Sequence, residues 1–253
     1  MCGRFVAATP LAVLEAHFGA VATDSALAER HPSWNVAPGS SAPVVLADAG
    51  TRALVALGWG LVPSWARNPS IGNRLINARS ETASTTPAFR SSFARRRCLV
   101  PVDGFYEWAP PSESAPPRRE LPGGPSVGAP RARRAKQPWY FCAADGEPLA
   151  LGGLWDRWRD GAGASVATFT ILTTAANAVV APVHDRMPVV MPKDHWAAWL
   201  GETDDPTPPD PAELRAVAAG FGPETLRAWP VGLEVNRPGN DGPALVEPLV
   251  ATS

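Results

Sequence analysis

Twenty-nine prolines are spread through 253 residues, one for about every nine positions. Proline has no amide hydrogen and a locked φ angle, so it ends helices and is kept out of sheet interiors. A chain interrupted this often builds its fold from many short elements. With 45% hydrophobic and 19% charged residues it is globular in composition, and its length suits one large domain or two small ones. No apolar run approaches the roughly 20 residues of a membrane helix, and the opening MCGRFVAATP lacks the long apolar segment of a secretory signal. Neither export nor a membrane partner is expected, and the expected location is the cytoplasm. Three cysteines without a CxxC pair argue against a disulfide framework or a structural zinc site, and no metal or cofactor is expected. A net charge of −1 supplies no global positive field, so any contact with nucleic acid must come from a local basic cluster.

Local signals place a helix over about Pro10–Phe18, with Thr9 as N-cap and Gly19 closing it. Two β-rich runs between Pro43 and Trp59 flank the turn-forming Asp48-Ala49-Gly50 and read as a hairpin. Further strands are expected at Cys98–Val102, Trp139–Cys142, Leu149–Leu154, Ala167–Thr173 and Val189–Met191. Helices are expected over Lys193–Leu200 and, behind an Asp210 cap, Pro211–Ala219. The strands cluster without regular βαβ alternation, which predicts an α+β domain with a curved, mainly antiparallel sheet and flanking helices. Ala109–Gln137 stands apart, with seven Pro and six Lys/Arg against two Glu. It reads as a flexible insert between two strands, either a solvated loop or a basic arm for nucleic acid.

Cys2 occupies the one position where removal of Met1 turns a cysteine into a chain terminus. The product is an α-amine (pKa about 7.7–8.0) two carbons from a thiol (about 8.5). Such a 1,2-aminothiol condenses with an aldehyde to an imine, and the thiol then closes a five-membered thiazolidine. Alternatively, Cys2 is an acyl-transfer nucleophile with its own amine as base. Cys98 and Cys142 lie in apolar strand-like runs and read as structural.

Several other segments carry polar groups in apolar, turn-rich surroundings. Asn77-Ala-Arg-Ser-Glu-Thr82 packs an amide, a guanidinium, a hydroxyl and a carboxylate together, a density costly in a core and suited to a site. Glu107 stands between Tyr106 and Trp108, where a carboxyl tends to a raised pKa and to general acid/base work; the alternative is a solvent-facing strand residue. His184 titrates near neutrality, and Arg186 two residues on is suited to phosphate. His17, His31 and His195 read as non-catalytic. Trp65, at the end of WGLVPSW, offers a stacking surface, whereas Trp59 reads as core.

Taken together, MCGRF, NVAP, WGLVPSWA, NARSET, RCLVPVDGFYEW, ALGGLW, TILTTAAN and HDRMPVVM resemble, in order, the SOS response-associated peptidase family, the abasic-site processing proteins of bacteria and eukaryotes. The resemblance runs from Cys2 to about Pro248 and implies one domain over about residues 2–250 with a β-barrel-like core. It implies capture of the ring-opened abasic sugar in single-stranded DNA as a thiazolidine on Cys2, after loss of Met1. Asn77, Glu107 and His184 fall on the family's site residues, and Arg4, Arg79 and Arg186 on its DNA-contacting arginines. Pro38, Trp65, Ser80, Trp108 and Thr173 complete the expected DNA-binding set. A monomer acting on single-stranded DNA is expected, with removal of its own Met1 as a peptidase activity. The sequence departs from the family in its insert after Trp108 and in the spacing at Leu233–Asn236, from which no contact is counted on. Two rival readings are an N-terminal-nucleophile amidotransferase or hydrolase, and a non-catalytic single-strand binder.

Overall fold

The structure is a computed structural model. It describes residues 2–48, 50–110, 135–202 and 224–249, with residues 210, 212, 213 and 216. Met1, Ala49 and most of the expected 109–137 insert and 211–219 helix lie outside the described residues. In chain order the elements are β1 (Arg4–Ala7), α1 (Leu11–Phe18), β2 (Ala20–Ala22), β3 (Ser33–Val36), β4 (Ser41–Asp48), β5 (Thr51–Trp59), β6 (Asn77–Arg79), α2 (Ser80–Ala83) and α3 (Arg90–Arg95). There follow β7 (Arg97–Val102), β8 (Gly104–Ala109), β9 (Gln137–Ala143), β10 (Leu149–Arg159), β11 (Ser165–Ala175), β12 (Arg186–Pro188), α4 (Trp196–Leu200) and β13 (Leu226–Pro230).

These strands make an α+β domain around a closed barrel. β11, β10, β7, β4 and β5 follow one another as antiparallel neighbours, and β5 then returns to β11 in a parallel contact, with Gly58 beside Thr168 and Trp59 beside Phe169. Having left β5, the chain makes a detour over residues 60–76 and rejoins β11 as β6, so Asn77 lies beside Ile171 and Arg79 beside Thr173. A second, antiparallel sheet in the order β13-β9-β8-β1-β3 packs on the barrel. Phe5, Phe105 and Phe141 of that sheet are fully buried with Trp59, Leu151, Phe169 and Ile171 of the barrel strands. Alternate barrel residues, including Val45, Leu54, Leu99 and Leu172, pack under α1, α3 and α4. Period-two alternation thus feeds two apolar clusters from one set of strands.

The expected hairpin and the strands around Cys98, Trp139, Leu149 and Ala167 form, most of them longer than expected. Helix α1 buries Leu14 and Phe18 and ends on Gly19 at φ 58°, a left-handed turn that glycine adopts without strain. Two local expectations are corrected. Pro10, not Thr9, holds the N-cap position of α1, because the Thr9 hydroxyl is drawn away to the Asp103 carboxylate. The last expected strand lies earlier, at Arg186–Pro188: past Pro188 the chain crosses from β11 to β10, Val189 donating to Leu172 and Met191 to Ala150.

Candidate active site

Strand β1 delivers Cys2 to the site. It runs antiparallel to β8, with Arg4 opposite Tyr106 and Phe5 opposite Phe105, which carries the start of the chain toward Glu107. The register is held at the far end of β1. There the Asp103 carboxylate accepts the N–H groups of Ala8 (2.6 Å) and Thr9 (3.2 Å), and the Arg30 guanidinium donates to the carbonyls of Ala7 and Thr9. Gly104, at the foot of β8, lies against β9 so closely that a Cβ would stand 2.4 Å from the Phe141 carbonyl and 2.5 Å from the Tyr140 ring.

Around Cys2 the expected groups converge. Its side chain is fully buried, its carbonyl accepts from Asn77 Nδ2 at 2.7 Å, and its thiol lies 3.9 Å from the Arg4 carbonyl. Asn77 Oδ1 is buried and has no hydrogen-bond partner among the described residues, so the amide keeps a spare acceptor next to the start of the chain. Burial pushes the Cys2 thiol far up, and the nearby Glu107 carboxylate pushes it further, so the resting sulfur is a thiol rather than a thiolate. Glu107 is itself 1% exposed, and burial raises its carboxyl from 4.5 to about 7. Its Oε2 lies 4.0 Å from His184 Nε2. His184 Nδ1 accepts the backbone N–H of Arg186 at 3.0 Å, which leaves the neutral ring's proton on Nε2, the nitrogen facing Glu107. Burial moves the His184 pKa down. Near neutrality the pair therefore combines a half-protonated carboxyl and a neutral imidazole, able to give and take protons.

Glu107 and His184 border a cavity of about 380 Å³ with Trp108, Lys136 and Asn236. The last two were missed in the sequence. Lys136 falls within the stretch read as an insert, and Asn236 in the segment whose spacing departs from the family. Asn236 Oδ1 accepts the Trp108 indole N–H at 2.6 Å, and its segment is tied to the sheet by Arg4 and Asn35, both donating to the Val235 carbonyl. Of the remaining expected DNA-contacting residues, Pro38 and Arg79 are exposed, whereas Ser80 and Thr173 are fully buried. Arg4 donates to Asn35 Oδ1 at 2.7 Å, and Arg186 makes a two-pronged pair with Glu81 (2.6 and 2.9 Å) and donates to the Thr173 carbonyl. Trp65 is 59% exposed in the 60–76 detour, in a separate depression with Arg67, Asn68 and Arg74. The detour is fastened from beneath. Ser64 N–H donates to the buried Asp156 carboxylate (3.0 Å), Val62 N–H to the Thr168 hydroxyl (2.8 Å), and the Trp158 indole to the Ala66 carbonyl (2.7 Å). Trp59 is core, as expected, its indole donating to Ile76. Among the described residues no group of three His, Cys, Asp or Glu stands where it could hold a metal ion.

Comparison with known proteins places the chain in a family. The family model for SOS response associated peptidase matches residues 1–238. The abasic site processing protein YoqW of Bacillus subtilis is 32% identical over 249 residues, spanning 98% of this chain and 99% of that protein. The abasic site processing protein HMCES of Xenopus tropicalis is 28% identical over 238 residues, spanning 87% of this chain and 67% of its own. A solved protein from Bacteroides thetaiotaomicron shares the fold with a TM-score of 0.78 at 22% identity, covering 98% of this chain and all of the other. With its motifs in order, its Cys2 set among Asn77, Glu107 and His184, and a family match over most of its length, the chain belongs to the SOS response associated peptidase family.

Proposed function

We propose that this protein captures abasic sites in single-stranded DNA covalently, through a thiazolidine formed by Cys2 once Met1 is removed. The observation that carries the proposal is the hydrogen bond from the Asn77 amide to the Cys2 carbonyl, which sets Cys2 beside the Glu107–His184 pair. The names of the relatives, abasic site processing proteins, support the choice of substrate. The Cys2 amine adds to the C1′ aldehyde of the ring-opened sugar to give a carbinolamine. Loss of water, with Glu107 as the acid that protonates the departing hydroxyl, leaves an imine. The sulfur then adds to the imine carbon, its proton passing to the nitrogen by way of Glu107, so aldehyde and aminothiol become thiazolidine and one water. His184 Nε2–H assists opening of the sugar ring and replenishes the carboxyl's proton. Holding amine and aldehyde together removes much of the entropic barrier to a bimolecular condensation. The same groups serve in hydrolysis of the Met1–Cys2 bond, the autoprocessing step.

Intact-mass analysis after incubation with an abasic oligonucleotide tests the scheme. Wild-type protein lacking Met1 gains the oligonucleotide's mass less one water and keeps it through denaturation. Cys2→Ser does not form this stable product. A Cys2→Ser protein that accumulated the same denaturant-stable adduct would refute the thiazolidine.

A further inference from the structure

The cavity at the Glu107–His184 pair presents an electrostatic difficulty for a DNA strand. It is bordered by Glu107, partly ionised near neutrality, and His184 carries the 86%-exposed Asp185 carboxylate 3.0 Å from its Nδ1. A polyanion approaching these carboxylates is repelled unless a cation meets it there. Two of the expected DNA-contacting arginines are already engaged: Arg4 with Asn35 and the Val235 carbonyl, Arg186 with Glu81 and Thr173. Lys136 is different. It borders the same cavity as Glu107 and His184, is exposed, and makes no hydrogen bond or ion pair among the described residues. It enters β9 next to Gln137, whose strand partner is Ala109, two residues past Glu107, so the sheet fixes where its stem begins.

We propose that Lys136 is a DNA-binding residue of this site, its ammonium contacting a backbone phosphate next to the abasic sugar. A lysine suits this task because a compact charge with three rotatable donors follows a phosphate that moves during ring opening and imine formation. The contact also offsets the negative charge of Glu107 and Asp185 as the strand enters. Its field reaches the neighbouring side chains, since Lys136 is among the charges that lower the proton affinity of both Glu107 and His184.

This inference rests on the proposed DNA capture, and the experiment separates the two. Anisotropy titrations of an oligothymidylate without any abasic site, over a range of salt, compare wild type, Lys136→Gln and Lys136→Arg. Loss of one phosphate contact lowers the slope of log affinity against log salt by about 0.7 on a single strand. Lys136→Gln is expected to show that decrease with affinity down on the order of fivefold, and Lys136→Arg to restore both. The pH profile of abasic-oligonucleotide capture at saturating protein is recorded for all three. An unchanged salt slope in Lys136→Gln overturns the proposal. So does an unchanged slope with a displaced pH profile of the saturated rate, which would make Lys136 a tuner of Glu107 and His184 instead. Failure of wild type to form the adduct would refute the capture reaction, while the titrations still read Lys136 directly.

Discussion

Replacing Glu107 by Gln should stabilise the fold at alkaline pH while impairing the chemistry. In the folded chain the carboxyl is raised from 4.5 to about 7 because the barrel and the second sheet bury it. It therefore holds its proton more tightly folded than unfolded. The stability this represents is fully present below about pH 4.5 and is lost as the pH rises through about 7. At about 1.4 kcal/mol for each pH unit, the loss is about 3 kcal/mol. Glutamine has the same shape and does not ionise, so it escapes the loss. Melting curves of wild type and Glu107→Gln, prepared with the same N-terminus, should give their smallest difference below about pH 4.5. By about pH 8 the variant should have gained roughly 6–12 °C relative to wild type, at about 2–4 °C per kcal/mol for a chain of this size. The alkaline limb of wild-type capture should have an apparent pKa near 7, and the variant should lack it. A melting difference that does not vary with pH would refute the argument, since Glu107 would then ionise alike in folded and unfolded chains.

Two other substitutions probe how the site is held. Asp156→Ala removes the acceptor of Ser64 N–H and the partner of Arg96 (3.2 Å), and should cost about 2–4 kcal/mol in urea unfolding. It should also weaken single-strand binding by loosening the segment that presents Trp65; unchanged affinity would separate that tryptophan from binding. Gly104→Ala forces a methyl against the Phe141 carbonyl, so β8 and β9 must part; a loss of about 3 kcal/mol or failure to accumulate folded protein is expected, and near-wild-type melting would contradict the packing.

The groups of the proposed site stand out in the sequence because each sits in a dense local motif: Asn77 in NARSET, Glu107 in DGFYEW, His184 in HDRMP. The hairpin and α1 were legible for a similar reason, since eight- and nine-residue elements carry their own periodicity. Strands β1, β3 and β6 have three or four residues and no periodic signal. What makes β6 a strand is β11, with Asn77 beside Ile171, a partner that local pattern cannot reveal. Charge was visible where pairing was not. Arg4 and Arg186 are both expected DNA contacts from the sequence, and only the fold pairs them with Asn35 and Glu81. Lys136 was hidden by composition, since the Pro- and Arg-rich run that contains it reads as an insert.

Cys2 and Glu107 ride on the five-stranded sheet, while Asn77 and His184 are set by strands bonded to β11 of the barrel. The proposed reacting centre thus straddles a docking seam closed chiefly by aromatic and aliphatic packing, Phe5 on Trp59 among it. A small slip of one layer past the other would part the Asn77–Cys2 bond while leaving every strand ladder intact. On gentle warming, covalent capture should therefore fail at a lower temperature than far-ultraviolet dichroism, making reactivity the earliest gauge of whether the two layers remain seated.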